Sequence, residues 1–310
     1  MKIGLALGSG AARGWSHIGV INALAEMGIE ADVVCGTSIG ALVGAAYVTG
    51  NLQPLEDYTL SLSRMKLARF FEINRSLKGF INKERFHDFL TEFVAADDAR
   101  IERLNKPFGA VATDLESGRE VWKTRGLVLE AVWASVAIPG MFPTVRHKDQ
   151  WLVDGGLVNP VPVSVCRALG ADIVIAVNLN GGLVGKHLLK HRPPEEADET
   201  QVIVDNEPDR EETTVMERIV DLARGYTASV FTNNRSQDSS PSLYDAIAGS
   251  VNIIQDRITR SRMAGDPPDI LLSPRLSQIG LLEFYRANET IEAGRASVHR
   301  MKDEIIEVLG

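Results

Sequence analysis

Ile29-Glu30-Ala31-Asp32-Val33-Val34-Cys35-Gly36-Thr37-Ser38-Ile39-Gly40-Ala41-Leu42-Val43-Gly44-Ala45-Ala46-Tyr47-Val48 decides the fold. The apolar run up to Cys35 has strand length, Gly36 to Gly40 makes a sharp turn, and Ala41 to Val48 reads as a small-residue helix that stops at Gly50. The residues before it form the same kind of unit. Lys2 to Leu7 reads as a strand, Gly8-Ser9-Gly10-Ala11-Ala12-Arg13-Gly14 breaks it, and Ile18, Ile21, Leu24 and Ala25 mark a helix face ending at Gly28. Two successive strand-turn-helix units predict an α/β fold whose central sheet is mainly parallel and carries helices on its faces.

Downstream, residues 54–105 read as helical, with Pro54 in a first turn. Strands follow at Phe108–Thr113 and Glu120–Lys123, with Ser117-Gly118 as the turn between them, and a helix runs from Leu127 to Ser135 ahead of Pro139. Trp151–Val153 and Asp172–Val177 are further strands; Met216–Val230 and Leu243–Met263 are helices; Ile270–Leu272 is a strand and Leu281–Leu309 a final amphipathic helix. Between Arg192 and Glu212 stand nine acidic and two basic residues with three prolines, a composition that predicts a solvated, flexible loop. The expected organisation is a catalytic core over 1–182, an acidic loop over 183–215 and a mainly helical part over 216–310 completing the same domain.

The 310 residues carry 33 Lys plus Arg against 41 Asp plus Glu, a formal charge of −8 that disfavours a general nucleic-acid binder. At 45% hydrophobic and 24% charged the composition is globular, which excludes collagen-like and disordered classes. Cys35 and Cys166 sit among apolar neighbours and read as buried free thiols of a reducing compartment. No apolar stretch approaches the ~18 residues of a membrane span. The expected location is the cytoplasm, with any membrane contact peripheral.

Gly36-Thr37-Ser38-Ile39-Gly40 fits the G-x-S-x-G nucleophile elbow and lies where that motif has mechanical meaning, between a strand and a helix. A serine hydroxyl needs an adjacent base. Of the six histidines, His17 follows the glycine loop, His87 and His147 lie among charges, His187 and His191 flank the acidic stretch, and His299 is in the last helix. None recommends itself as that base, so an aspartate acting directly is the better candidate. Asp154-Gly155-Gly156 ends a strand, and a lone string of this kind is most often a turn. The glycine-rich loop at 8–14 opens a helix and presents backbone N–H groups, suited either to a phosphate or to an oxyanion. A dinucleotide site fits it poorly: Arg13 stands at the third glycine position, and Asp32 precedes Val33 and Val34 instead of ending the strand.

These three motifs, with Ala134-Ser135-Val136-Ala137-Ile138-Pro139-Gly140-Met141-Phe142-Pro143 as a fourth, resemble the patatin-like phospholipases over roughly residues 3–180. Asp269–Leu272 and Ile279–Phe284 are similar to the bacterial branch related to the catalytic domain of neuropathy target esterase. The resemblance implies a three-layer α/β/α fold and a lipid acyl hydrolase; no acidic cluster has a ligand-loop spacing, so no metal or other cofactor is expected. It further implies Ser38 as nucleophile, Asp154 as its only partner, and Gly10 and Ala11 N–H groups as oxyanion hole, with Gly8, Ser9 and Arg13 shaping the loop and Gly36 and Gly40 the elbow. Many members have three glycines where this chain has Gly8-Ser9-Gly10. A regulatory protein that keeps the fold with little turnover is the competing reading.

Residues 64–93 hold six of the ten phenylalanines, and 64–85 carry seven basic against two acidic residues. Phe86, Phe89 and Phe93, at helical spacing, are expected to face the core. Phe70, Phe71 and Phe80 are candidates for lipid contact at an anionic membrane surface. The expected partner is therefore a lipid or other acyl ester, and the sequence leaves the oligomeric state open.

Overall fold

A computed structural model describes residues 1–68, 70, 81–139, 141–181 and 243–310. The two opening units fold as read: β1 (Ile3–Leu7), a 3-10 turn (Ala11–Trp15) and α1 (Ser16–Glu26), then β2 (Val33–Thr37) and α2 (Ile39–Val48). Next come α3 (Leu52–Leu60), α4 (Arg64–Ala68) and α5 (Lys83–Phe93), whose N-cap Asn82 accepts a hydrogen bond from the Arg85 N–H. β3 (Phe108–Asp114), β4 (Glu120–Lys123), α6 (Val128–Val136), β5 (Val145–His147) and β6 (Gln150–Asp154) follow. The described chain ends with α7 (Val163–Ala168), β7 (Ile173–Val177), α8 (Leu243–Gly265), β8 (Ile270–Leu272), α9 (Ala287–Arg300) and α10 (Lys302–Leu309).

The strands form one eight-stranded sheet in the order β5-β6-β3-β2-β1-β7-β8, with β4 also paired to β3. β8, β7, β1, β2 and β3 run parallel; β4, β5 and β6 add the antiparallel pairings. Alternation along the central strands assigns side chains to two cores. Leu5, Leu7, Val34, Ile175 and Val177 pack with α1, α2 and α9 on one face, while Ala6, Val33, Cys35, Val174 and Ala176 pack with α7 on the other. The result is the expected three-layer α/β/α arrangement.

α9 docks on α1 at unusually short range. A Cβ on Gly294 would stand 2.0 Å from the Ser16 carbonyl oxygen, and one on Gly19 would stand 1.9 Å from that of Ile291. Backbone blocks both positions, so neither can be relieved by a side-chain rotation. Gly294→Ala is expected to destabilise the protein by about 1–3 kcal/mol through this overpacking. Urea unfolding reads it, and an unchanged midpoint would refute the close approach.

Several boundaries differ from the sequence reading. β2 starts at Val33 instead of Ile29, because Asp32 accepts the Ile3 N–H and marks the sheet's edge. The last helix is not continuous from Leu281: a 3-10 turn at Phe284–Arg286 precedes α9, and Met301 breaks the run before α10. β5 and α7 are too short to show a sequence period, one being three residues long and the other six. The acidic segment at 183–215 and the helix read at Met216–Val230 lie outside the described residues.

Candidate active site

β3 organises the site. Its residues Ala110 and Val111 pair with Gly36 and Thr37 of β2 on one edge and with Lys123 and Trp122 of β4 on the other. Ala112 and Thr113 keep β4 on that second edge, pairing with Val121 and Glu120, so Asp154 and Val153 of β6 occupy the edge that β2 has just left. β2 and the antiparallel β6 therefore meet with their C-terminal ends together. Thr37 lies opposite Val111 and Asp154 opposite Ala112, so the residue after Thr37 must face Asp154.

That residue is Ser38. Its Oγ donates to Asp154 Oδ2 at 2.5 Å, the length of a charge-assisted O–H···O bond. Ser38 is 4% and Asp154 2% exposed. Ser38 holds φ 56° and ψ −125°, a conformation L-residues rarely adopt and one that costs energy unless neighbours enforce it. The enforcement is visible on three sides. The Ser38 N–H donates to Ser135 Oγ at 2.8 Å, and that hydroxyl donates on to the Val111 carbonyl at 2.6 Å. Thr37 Oγ1 donates to the Asn159 carbonyl at 2.8 Å. The turn itself closes so tightly that a Cβ on Gly40 would stand 2.1 Å from the Leu7 carbonyl oxygen. α2 then starts at Ile39 and directs its positive dipole end toward the serine.

Asp154 is held as firmly. The Gly156 N–H donates to Oδ1 at 2.7 Å, and Thr113 Oγ1 donates to the Asp154 carbonyl at 2.8 Å. Gly155 is required by contact, since a Cβ there would lie 2.2 Å from the Val111 carbonyl oxygen. Burial pushes the Asp154 carboxyl up to about 6, against the opposing pull of the Ser38 and Gly156 hydrogen bonds.

The glycine loop runs past the same sheet ends. Gly8 N–H donates to the Val177 carbonyl at 3.1 Å, Ser9 N–H to Pro160 at 2.8 Å, Ala12 N–H to Leu281 at 3.0 Å and Arg13 N–H to Gly10 at 3.2 Å. Among the described residues, the N–H groups of Gly10 and Ala11 take no such carbonyl. His17 supports the loop from below: its Nε2 donates to the Gly8 carbonyl at 2.8 Å, and burial lowers its pKa to about 4. Among the described residues the side-chain hydrogen-bond partners of Ser38 are Ser135 and Asp154 and none is His87, His147 or His299, while His187 and His191 lie outside the described residues.

An apolar pocket of about 740 Å³, including its open mouth, reaches Ser38 and Ala11. Leu42, Phe70, Phe86 and Phe142 are among its walls. Phe86 packs edge-on to Trp133 and against Phe142, both at 4.9 Å between ring centroids, and Phe89 joins Tyr58 at 5.2 Å. Phe86 and Phe89 are buried and Phe93 packs against the core, as their spacing suggested. Phe70 stands edge-on to Phe89 in the pocket wall; Phe71 and Phe80 lie outside the described residues. Ser135, Asn180 and Gln255 were not singled out by the sequence. Only Ser135 carried a signal, its place in the block at 134–143.

A three-layer sheet with a strained serine turn and a glycine loop at its strand ends fits one family model, patatin-like phospholipase, which matches residues 5–167. The chain belongs to this family, and is therefore a hydrolase acting on acyl esters. Its relatives place it in the bacterial NTE-family branch. An uncharacterized NTE family protein of Mycobacterium tuberculosis is 31% identical, covering 95% of this chain and 89% of the relative. A second from the same organism is 29% identical over 95% of this chain and 45% of its own length. The lysophospholipase NTE1 of Pyricularia oryzae is 26% identical over 94% of this chain and 18% of its own length.

Proposed function

We propose that the chain hydrolyses lipid acyl esters with Ser38 as nucleophile, Asp154 as its only base and the Gly10 and Ala11 amides as oxyanion hole. The observation that carries this is the 2.5 Å bond from Ser38 Oγ to Asp154 Oδ2 beside an apolar pocket. As Ser38 Oγ adds to the ester carbonyl carbon, Asp154 takes its proton and the two amides receive the developing oxyanion. Collapse expels the alcohol, which leaves with that proton, and the acyl group stays on Ser38. Water then adds to the acyl carbon, again giving a proton to Asp154, and the fatty acid leaves as Ser38 recovers its hydrogen. A normal carboxylate is a weak base for a serine; one raised to about 6 by burial is better matched to the transfer.

The pocket suits one acyl chain, because its walls offer aromatic and aliphatic contacts and almost nothing to solvate a headgroup. Phe70 would touch that chain. A lysophospholipid is a fitting substrate, in line with the name of the Pyricularia oryzae relative. Peripheral contact with an anionic membrane through 64–93 is supported by Met65, 71% exposed on α4 between Arg64 and Lys66. Among the described residues no helix is long and apolar enough to cross a membrane. The free buried thiols of Cys35 and Cys166 support a cytoplasmic setting.

A fluorophosphonate probe tests the central step. The wild-type protein is expected to take the label on Ser38, and Ser38→Ala to lose it entirely. A wild type that stays unlabelled, or a label that survives Ser38→Ala, overturns the reading.

A further inference from the structure

We propose that Asn180 and Gln255 are positioning residues that aim the Gly10 amide at the reacting carbonyl. The inference rests on the reading of the 8–14 loop as an oxyanion hole. Both residues lie outside the range 5–167 matched by the family model.

The argument starts from the planarity of the peptide. In a trans peptide the carbonyl and the following N–H point to opposite sides, so whatever holds one end fixes the direction of the other. The Gly8–Ser9 peptide is held at both ends, its carbonyl by His17 Nε2 and its N–H by the Pro160 carbonyl. In the next peptide the Ser9 carbonyl accepts from Asn180 Nδ2 at 3.4 Å. Holding that carbonyl on the Asn180 side turns the Gly10 N–H to the opposite side. In the third, the Gly10 carbonyl accepts from the Arg13 N–H at 3.2 Å, which likewise turns the Ala11 N–H away from it. Ala11 lines the pocket that reaches Ser38.

Asn180 can hold the Ser9 carbonyl because its own amide is fixed. Nδ2 also donates to Gln255 Oε1 at 2.9 Å, Oδ1 accepts from Arg13 Nη1 at 3.0 Å, and the backbone N–H donates to Asn178 Oδ1 at 3.0 Å. Gln255 Oε1 accepts a second bond from Ser9 Oγ at 3.1 Å, so Ser9 is tied into the same set. Arg13 is anchored in turn by Nε to the Ile279 carbonyl at 3.2 Å. All four side chains are buried, where mutually satisfied hydrogen bonds stiffen one another.

Gln255 also reaches the other half of the site. Its Nε2 lies 2.4 Å from where a Cβ on Gly156 would stand, and the Gly156 N–H is the group that holds Asp154 Oδ1. One amide side chain on α8 thus abuts both the glycine loop and the Asp154 turn.

The test uses the full chain, a p-nitrophenyl acyl ester and an acyl trifluoromethyl ketone, which adds to an activated serine to give a tetrahedral oxyanion. Asn180→Asp keeps the size of the side chain and the acceptor for Arg13 but has no N–H for the Ser9 carbonyl. It is expected to lower kcat about 10–100-fold, leave KM within about twofold, and weaken the ketone's Ki by the same factor as kcat. Wild-type kcat and Ki in this variant overturn the inference, and so does a kcat loss that leaves Ki unchanged or is matched by a rise in KM. Should Asn180→Asp fail to fold, Gln255→Met removes the acceptor that steadies Asn180, and the same pattern is required of it. A wild type that neither hydrolyses the ester nor binds the ketone refutes the hydrolase reading itself, and this inference falls with it.

Discussion

Asp154→Asn is expected to lower kcat/KM for an acyl ester by about 10²–10⁴-fold, the range a positioned general base contributes. The side chain keeps its size, and an amide can still accept from the Gly156 N–H and stay beside Ser38 Oγ, so the loss reports the missing base. The pH profile separates this from a packing effect. With the Asp154 carboxyl raised to about 6 by burial, wild-type kcat/KM should climb through an apparent pKa near that value and level off above it. The residual activity of Asp154→Asn should lack this limb. A variant that retains wild-type kcat/KM, or a wild-type profile flat across that range, would remove Asp154 from the mechanism.

The same substitution is expected to stabilise the protein at pH 8. Asp154 is a buried acid whose folded pKa is raised from 3.8 to about 6, so its favourable contribution is complete below pH 3.8 and lost as pH rises through 6. Above that window the native state carries a buried carboxylate that an amide would not. The linkage is on the order of 3 kcal/mol, so Asp154→Asn should unfold at higher urea than wild type at pH 8 and at nearly the same urea at pH 3.8. His17 works in the opposite sense: its lowered pKa makes stability fall as pH drops from 6.5 toward 4. That loss is common to both proteins and cancels in the comparison. Equal midpoints at pH 8 would show that Asp154 is not charged in the folded protein there.

The two residues named for the chemistry were not equally legible. Ser38 could be read because everything that shapes its turn, a strand before it, two glycines and a helix after it, is contiguous. Asp154 is 116 residues away, and its string taken alone suggested an ordinary turn. In the sequence only the poor placement of every histidine and the family resemblance point to it. What brings it to Ser38 is the shared edge of β3, a pairing that no local pattern encodes. Ser135, Asn180 and Gln255 lay further from view, since a serine in an apolar helix and two amides in polar stretches have no periodicity to betray them. Arg13 was visible as a loop residue, yet its reach to Asn180 and Ile279 was not.

By itself the sequence determined the two opening strand-turn-helix units, the parallel centre of the sheet, the serine turn and the glycine loop. These depend on alternation, helical spacing and glycine placement within a few residues. Only the tertiary structure decided that β2 and β6 meet end to end, that an aromatic pocket opens at Ser38, and that burial raises Asp154. Proton affinity and hydrogen-bond direction depend on what surrounds a group in space, and those neighbours are supplied by segments distant along the chain.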